Sequence, residues 1–396
     1  MLNRRAFVQS LGAGGAASIT LLQAELRGQT AAIQERAARA ETPPNAIRIG
    51  SNENPYGPTP AAMDAARTAI AEGHRYGGGA SAALVAALAK SHAVPPAQIM
   101  LSGGSGDVLR ATIQAFTDKT KALVSGSPSY EQPVRQARQG GVEVHEVPLT
   151  ADLKLDLPAM LARASGTGLL YICNPNNPTS TIVPVKDVAE VIDRVTKASP
   201  GTYVLVDEAY FEYAEDPSFG TVIPLIERYP QLVVARTFSK IHGMAGMRVG
   251  YAVAQEKTLA AIKQFHSSSG MGIMSLSAAV ASFADTATLQ KNQLLNRQTR
   301  AFTTAAFTRA GYTVAASQAN FVLVDVRRDI KGFIEACRLK GVVIGRPFPP
   351  LDTWARITIG TQAEMEQATR VFMETLATAP AAVAGIHPSL PAYWSC

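Results

Sequence analysis

Tyr203-Val204-Leu205-Val206-Asp207-Glu208-Ala209-Tyr210 is the stretch on which the reading of this chain turns. Its first four residues are β-forming and apolar without alternation, which describes a strand buried on both faces, as inside parallel sheets. The run ends on a carboxylate, Asp207, and a tyrosine, Tyr210, stands three residues on. In open α/β sheets ligands gather at the carboxyl ends of the strands, so Asp207 is placed where a ligand would lie. Comparable apolar runs occur at 122–124, 169–172 and 232–234. Helical patterns separate them, among them 60–72, 80–93, 107–116 and 185–197. A mostly parallel sheet between helices follows, an α/β fold. Beyond it a helical region at 289–309 leads into strand-like 321–326, a helix at 330–339, and strand-like 342–344 and 356–359, the pattern of a smaller α/β domain.

Outward from this segment, the chain has 396 residues, about right for a two-domain enzyme. With 47% hydrophobic and 17% charged residues it buries a core without needing a disulfide or metal staple. The net charge of +6 is modest and no basic run occurs, which argues against a nucleic-acid partner. Cys173, Cys337 and Cys396 form no CxxC pair, so neither a zinc site nor a disulfide framework is expected. No stretch approaches the roughly 20 apolar residues of a membrane-spanning helix.

The second informative segment begins where the 232–234 strand runs on into Arg236-Thr237-Phe238-Ser239-Lys240. A lysine just past a buried strand loses charge by desolvation and becomes an amine nucleophile. A glycine-rich stretch follows, then Arg248 opens another strand. One carboxylate, one lysine, hydroxyls and an arginine are what pyridoxal 5'-phosphate demands. The lysine forms an imine, the Asp keeps the pyridine nitrogen protonated, and helix-start amides with an arginine hold the phosphate. Ser102-Gly103-Gly104-Ser105-Gly106-Asp107, opening a helix at Asp107, reads as the phosphate cradle.

With these residues in hand the sequence resembles the fold-type I pyridoxal-phosphate aminotransferases of class I/II, on their histidinol-phosphate branch. The resemblance runs from about residue 45 to 376. Its motifs come in order: Asn52-Glu53-Asn54-Pro55-Tyr56-Gly57, Arg75-Tyr76, Gly104-Ser105-Gly106-Asp107, Pro128-Ser129-Tyr130, Asn174-Pro175-Asn176-Asn177-Pro178-Thr179, Asp207-Glu208-Ala209-Tyr210, Ser239-Lys240, Arg248-Val249-Gly250-Tyr251 and Arg356-Ile357-Thr358-Ile359-Gly360. It implies a large domain with a mostly parallel seven-stranded sheet and a smaller α/β domain. The expected division is a leader at 1–42, an N-terminal arm and start of the small domain at 43–75, a cofactor-binding domain at 76–288, the rest of the small domain at 289–379, and a tail at 380–396. By the same resemblance Lys240 would bind the cofactor and move a proton, Asp207 would pair with the ring nitrogen, and Asn177 and Tyr210 would hold the ring oxygen. Tyr130 would stack on the ring. Ser105, Gly106, Ser239 and Arg248 would hold the phosphate, Asp107 and Thr237 would also bind the cofactor, and Tyr76 would reach in from the second subunit of a homodimer. Arg356 would grip the substrate carboxylate through its fork.

Departures from the family pattern bear on substrate. Ser180 stands where glycine usually follows Asn-Asn-Pro-Thr, and 267–272 replaces a stretch that bears tyrosine and asparagine in relatives. Arg346, within Gly345-Arg346-Pro347-Phe348-Pro349-Pro350, would bind a second anionic group. His242 either touches the pocket or packs in the core, and Asn52 and Asn54 are either turn formers beside Pro55 or substrate contacts, with Tyr56 beside them. The implied reaction is transfer of an amino group from an amino acid, or a histidinol-phosphate-like amine, to a 2-oxo acid by a ping-pong scheme. The same scaffold running decarboxylation, elimination or amine oxidation is the rival reading, and a non-enzymatic binding protein is a second. Asn3-Arg4-Arg5-Ala6-Phe7, followed by a weakly apolar stretch, resembles a twin-arginine export signal and implies a periplasmic or secreted enzyme. The alternative is a cytoplasmic protein with a frayed helical start. Gly12-Ala13-Gly14-Gly15-Ala16-Ala17 mimics a dinucleotide fingerprint but has no strand before it.

Overall fold

In the computed structural model, residues 45–266 and 271–378 are described. The chain divides into compact units at Met1–Ile47 and Arg48–Cys396; of the first, only residues 45–47 are described. The export signal, the glycine decoy, most of the departure at 267–272 and the tail therefore lie outside the described residues. Among those that are described, no helix is long and apolar enough to cross a membrane.

The four apolar runs become strands, joined by others that no such run announced. After β1 (Ile47–Ile49) come β2 (Ile99–Ser102), β3 (Leu123–Ser127), β4 (Val144–Pro148), β5 (Leu169–Cys173), β6 (Tyr203–Asp207), β7 (Leu232–Thr237) and β8 (Gly250–Ala254). The last seven form one sheet in the order β2-β8-β7-β6-β5-β3-β4. β8 is antiparallel to both its neighbours, while β7, β6, β5, β3 and β4 run parallel. Alternation along each strand divides its side chains between two apolar layers. Leu170, Ile172, Val204, Val206 and Val234 meet Leu84, Leu88, Met160 and Ile192 from helices Gly78–His92, Leu157–Ala164 and Val185–Ala198. Tyr171, Cys173, Leu205, Val233 and Ala235 meet Val108, Leu109, Val134 and Leu259 from helices Ser105–Phe116, Gln132–Gln139 and Glu256–Lys263. Burial on both faces is why these strands carry no polar alternation.

A second sheet is antiparallel, with β12 (Trp354–Thr358) and β9 (Thr313–Val314) flanking β10 (Phe321–Asp325). It packs with helices Thr286–Arg309, Ile330–Leu339 and Gln362–Ala377, whose Phe307, Phe333 and Phe372 form an aromatic cluster. Asp285 caps the first of these and a Thr361–Glu364 capping box opens the last. The 289–309 helix thus starts three residues earlier than its apolar pattern suggests, at its cap. β11 (Val342–Ile344) runs so close to Gly50 that a Cβ there would stand 2.7 Å from the Ile344 carbonyl oxygen. On β12, Ala355 and Ile357 are fully buried, and the alternate residues Arg356 and Thr358 donate to Asn177 and Asn52.

Candidate active site

The register of the parallel strands brings Cys173, Asp207 and Ala235 level, with Thr237 two residues beyond on the same face as Ala235. Cys173, Asp207 and Thr237 line a cavity of about 340 Å³ at the carboxyl end of the sheet. Tyr171, two residues before Cys173 and on its face of the sheet, donates its hydroxyl to Asp207 Oδ2 at 3.0 Å. Asp207 Oδ1 is buried and has no partner among the described residues. Burial pushes this carboxyl up to about 6, against the Tyr171 hydrogen bond, which pulls the other way. Such an orphaned acceptor calls for a buried N–H donor.

Lys240 reaches the cavity from the segment after β7. Its Nζ donates to the Asn52 carbonyl oxygen at 3.0 Å and lies 5.3 Å from the Tyr210 ring centre. Desolvation, helped by the nearby Arg356 guanidinium, lowers its pKa to about 8 although Glu53 and Asp207 oppose the shift. About one lysine in ten is then neutral at pH 7, against fewer than about one in a thousand for a solvated lysine. Tyr210 accepts from Asn52 Nδ2 at 3.0 Å and from Asn177 Nδ2 at 3.4 Å, and its ring edge meets Phe321.

The 174–181 loop that presents Asn177 is tied down by its own asparagines. Asn174 pairs with both the amide and the carbonyl of Val183, and Asn176 pairs with Ser129 and Thr179. Ser180 takes φ 60 here, the left-handed conformation for which glycine is the usual choice.

The anion cradle is built from helix Ser105–Phe116 and Arg248. The helix starts at Ser105, two residues before the expected Asp107, with Gly104 at φ 93 as its cap. The first amides of a helix have no intrahelical partner and favour an anion. Arg248, itself at φ 55, donates to Ser239 Oγ at 3.3 Å, to the Ala245 carbonyl at 2.9 Å and to the Gly103 carbonyl at 3.2 Å. A Cβ on Gly104 would collide with that guanidinium. Ser105, Gly106, Thr237, Ser239 and Arg248 all line the cavity, and so does Tyr130. The Tyr130 hydroxyl donates to Gln132 Oε1 at 3.0 Å, and Gln132 Nε2 donates to the Gly106 carbonyl at 2.7 Å.

On the remaining wall, Arg356 donates to Asn177 Oδ1 at 2.9 Å and to the Gly50 carbonyl at 2.7 Å, while its Nε has no partner among the described residues. Burial lowers its pKa to about 10, and neighbouring Arg346 pushes the same way. Both guanidiniums lie over the Phe348 ring, Arg346 at 4.2 Å and Arg356 at 4.6 Å.

Several expected contacts lie elsewhere. His242 is a core residue: Nδ1 bonds Ser282 Oγ at 2.8 Å, its ring packs against Phe238 and Phe283, and burial lowers its pKa to about 3. Asn54 is a turn former, donating to the Ile241 carbonyl at 2.8 Å and accepting from the Tyr56 amide, and neither it nor Tyr56 lines the cavity. Asp107 also stays out of the cavity, its carboxylate paired with Arg110 at 2.5 Å. A carboxylate beside a phosphate would repel it, which agrees with that placement. Tyr76 is fully exposed and belongs to no wall of its own chain's cavity.

Sequence reasoning overlooked Tyr171 and Gln132 and left Asn52 undecided. Asn52, held at φ 54 by Thr358, is a clasp that touches Lys240 through its carbonyl and Tyr210 through its amide. The positions carry signals only in hindsight: a polar Tyr171 inside an apolar strand, and an amide two residues after Tyr130.

The donor set fits pyridoxal phosphate. The unpartnered Asp207 oxygen matches a protonated ring nitrogen, Asn177 and Tyr210 a ring oxygen, the Ser105–Arg248 cradle a phosphate, and Lys240 an aldehyde carbon. The family model described as aminotransferase class I and II matches residues 44–372. The histidinol-phosphate aminotransferase of Symbiobacterium thermophilum is 36% identical over 336 residues, covering 84% of this chain and 90% of that protein. The aromatic amino acid aminotransferase of Rhodococcus erythropolis is 36% identical over 304 residues, covering 76% and 83%. The crystal structure of histidinol-phosphate aminotransferase from Sinorhizobium meliloti in complex with pyridoxal-5'-phosphate superposes with a TM-score of 0.79 at 28% identity, covering 86% of this chain and 94% of that one.

Proposed function

Because the chain belongs to the class I and II aminotransferases and is a pyridoxal-phosphate-dependent transaminase, we propose that it serves amino acids whose α-carboxylate binds Arg356 and whose side chain, aromatic or anionic, lies along Phe348 toward Arg346. The observation that carries this reading is that one cavity holds Asp207, Lys240, Arg356, Arg346 and Phe348, brought from separate stretches of chain. When bound, the cofactor supplies an aldehyde carbon that links to amines and a protonated ring that accepts the electron pair of a broken Cα–H bond.

The chain's own residues would do the rest. Asp207 Oδ1 holds the ring N–H, and its burial away from water strengthens that pairing. Ser105, Gly106, Ser239 and Arg248 hold the phosphate, and Asn177 and Tyr210 the ring oxygen. Lys240 Nζ, with its lowered pKa, takes up and returns the Cα proton, a task suited to a base that titrates near neutrality. Arg356, already oriented by Asn177 and Gly50, turns its guanidinium to the substrate carboxylate. Phe348, with the Arg346 and Arg356 guanidiniums laid on its ring, gives the pocket an apolar wall, and Arg346 offers a cation to an anionic side chain. The name of the aromatic relative supports the aromatic kind of side chain.

The working enzyme in this proposal is a homodimer in which the exposed Tyr76 of one subunit completes the cofactor site of the other. It is exported folded, with its cofactor, by the signal at Arg4-Arg5. The test is the visible spectrum of the purified enzyme titrated with L-phenylalanine, L-glutamate, histidinol phosphate and an apolar control such as L-alanine. Conversion to the pyridoxamine form by aromatic and anionic donors ahead of alanine is expected. Preference for alanine, or release of carbon dioxide without conversion, overturns the reading.

A further inference from the structure

A second cavity of about 680 Å³ adjoins the first, with Arg135, Arg138, Val134 and Pro349 in its lining. The two cavities share Ser129, Glu131, Arg346 and Phe348 as a common wall. In that wall Arg346 Nη2 stands 2.5 Å from Glu131 Oε2, both side chains half exposed. Glu131 Oε1 also faces Arg135 Nη1 at 4.0 Å. One carboxylate therefore stands between two guanidiniums, with the nearer one laid on the Phe348 ring.

We propose that Glu131 is a specificity-determining positioning residue: it keeps Arg346 neutralised while an uncharged side chain occupies the pocket and yields it to a side chain that ends in a carboxylate or phosphate. This rests on the substrate reading above. A half-exposed ion pair is weak, so an incoming anion displaces Glu131 readily. The displaced carboxylate still has Arg135 within reach, so it is not left without a cation. With the pair closed, an aromatic ring meets Phe348 and a wall of no net charge. Without Glu131, Arg346 would be a standing cation that favours anions at all times.

The experiment uses the enzyme loaded with pyridoxal phosphate and two unreactive probes, glutarate and 3-phenylpropionate, whose dissociation constants are read by calorimetry. Steady-state kinetics with L-glutamate and L-phenylalanine accompany them. Glu131→Gln should tighten glutarate and lower the KM for glutamate by about threefold to fivefold, with kcat unchanged. Values for 3-phenylpropionate and phenylalanine should stay within about twofold. Glu131→Asp keeps the charge and should keep the wild-type ratio, and Arg346→Gln should abolish the effect of Glu131→Gln. An equal shift for both probes, an Asp variant that behaves as the Gln variant, or an effect that survives in the Arg346→Gln background overturns the role of Glu131. A wild-type enzyme that binds neither probe overturns the substrate reading itself.

Discussion

Replacing Asp207 by Asn separates what this residue does for the fold from what it does for the cofactor. Without cofactor, Oδ1 has no partner among the described residues and burial raises the carboxyl from 3.8 to about 6. That difference corresponds to about 3 kcal/mol. The carboxyl holds its proton more tightly folded than unfolded, so its contribution is fully present below about pH 4 and is lost as pH rises through about 6. At pH 8 the wild-type fold therefore bears nearly the whole ~3 kcal/mol, and about half of it is regained by pH 5. The amide of the Asp207→Asn variant has no such titration. It leaves one amide donor buried and unpaired beside Tyr171, a cost of about 1–3 kcal/mol that does not vary with pH. The stability of D207N relative to wild type should then improve by about 2–3 kcal/mol between pH 4 and pH 8, whatever its value at pH 4. Urea unfolding of both cofactor-free proteins at pH 4, 5, 6 and 8 measures this. In the loaded enzyme the same change removes the charge that holds the ring proton, and transamination should fall by at least ~100-fold. A pH-independent stability difference would refute the assignment of Asp207 as a buried carboxylate awaiting a donor.

Arg356→Lys should raise the KM for amino-acid donors by ~10-fold or more while leaving the cofactor absorbance intact, because a point charge replaces a fork already braced by Asn177 and Gly50; unchanged kinetics would reject the carboxylate role. Glu208 receives Arg236 Nε and Nη2 at 3.0 and 2.8 Å in a buried pair, so Glu208→Gln should destabilise the protein by about 3 kcal/mol. The double replacement of Glu208 and Arg236 by Met should cost clearly less, and urea unfolding of the two variants distinguishes a charge effect from a packing effect. Lys240→Ala should abolish transamination, and retained turnover would exclude it as the base. Replacing Arg4 and Arg5 by Lys should leave the protein in the cytoplasm, and normal recovery from the periplasm would refute the export proposal.

Much of the site was legible because its residues sit at places that local sequence marks. Asp207 and Lys240 follow apolar runs, and strands of that kind end where ligands bind. Gly104-Ser105-Gly106 advertises a helix start open to an anion, and the asparagine-proline loop announces a turn that must be held by its own side chains. Hydrophobic runs likewise identified β3, β5, β6 and β7, since burial on both faces leaves no room for alternation, whereas the half-exposed edge strand β4 carried no such run. Less legible were residues whose role is to touch another residue far away in sequence. Asn52 and Tyr210 are 158 positions apart, and Arg356 and Asn177 are 179 apart. His242 lies two residues from Lys240 yet turns into the core, because the chain after β7 leaves the sheet and packs this side chain against Ser282 and Phe283.

The sequence by itself determined the class of fold, the cofactor chemistry and the identity of the acid and the amine, because each depends on residue type and its immediate neighbours. Only the tertiary structure decided which polar groups were left without partners. The unpaired Asp207 oxygen and Arg356 Nε, the pairing of Arg346 with Glu131, and the loss of His242 and Asn54 to structural duties are of that kind among the described residues. Hydrogen bonding and desolvation act over a few ångströms in space, and a linear sequence does not state which groups come that close.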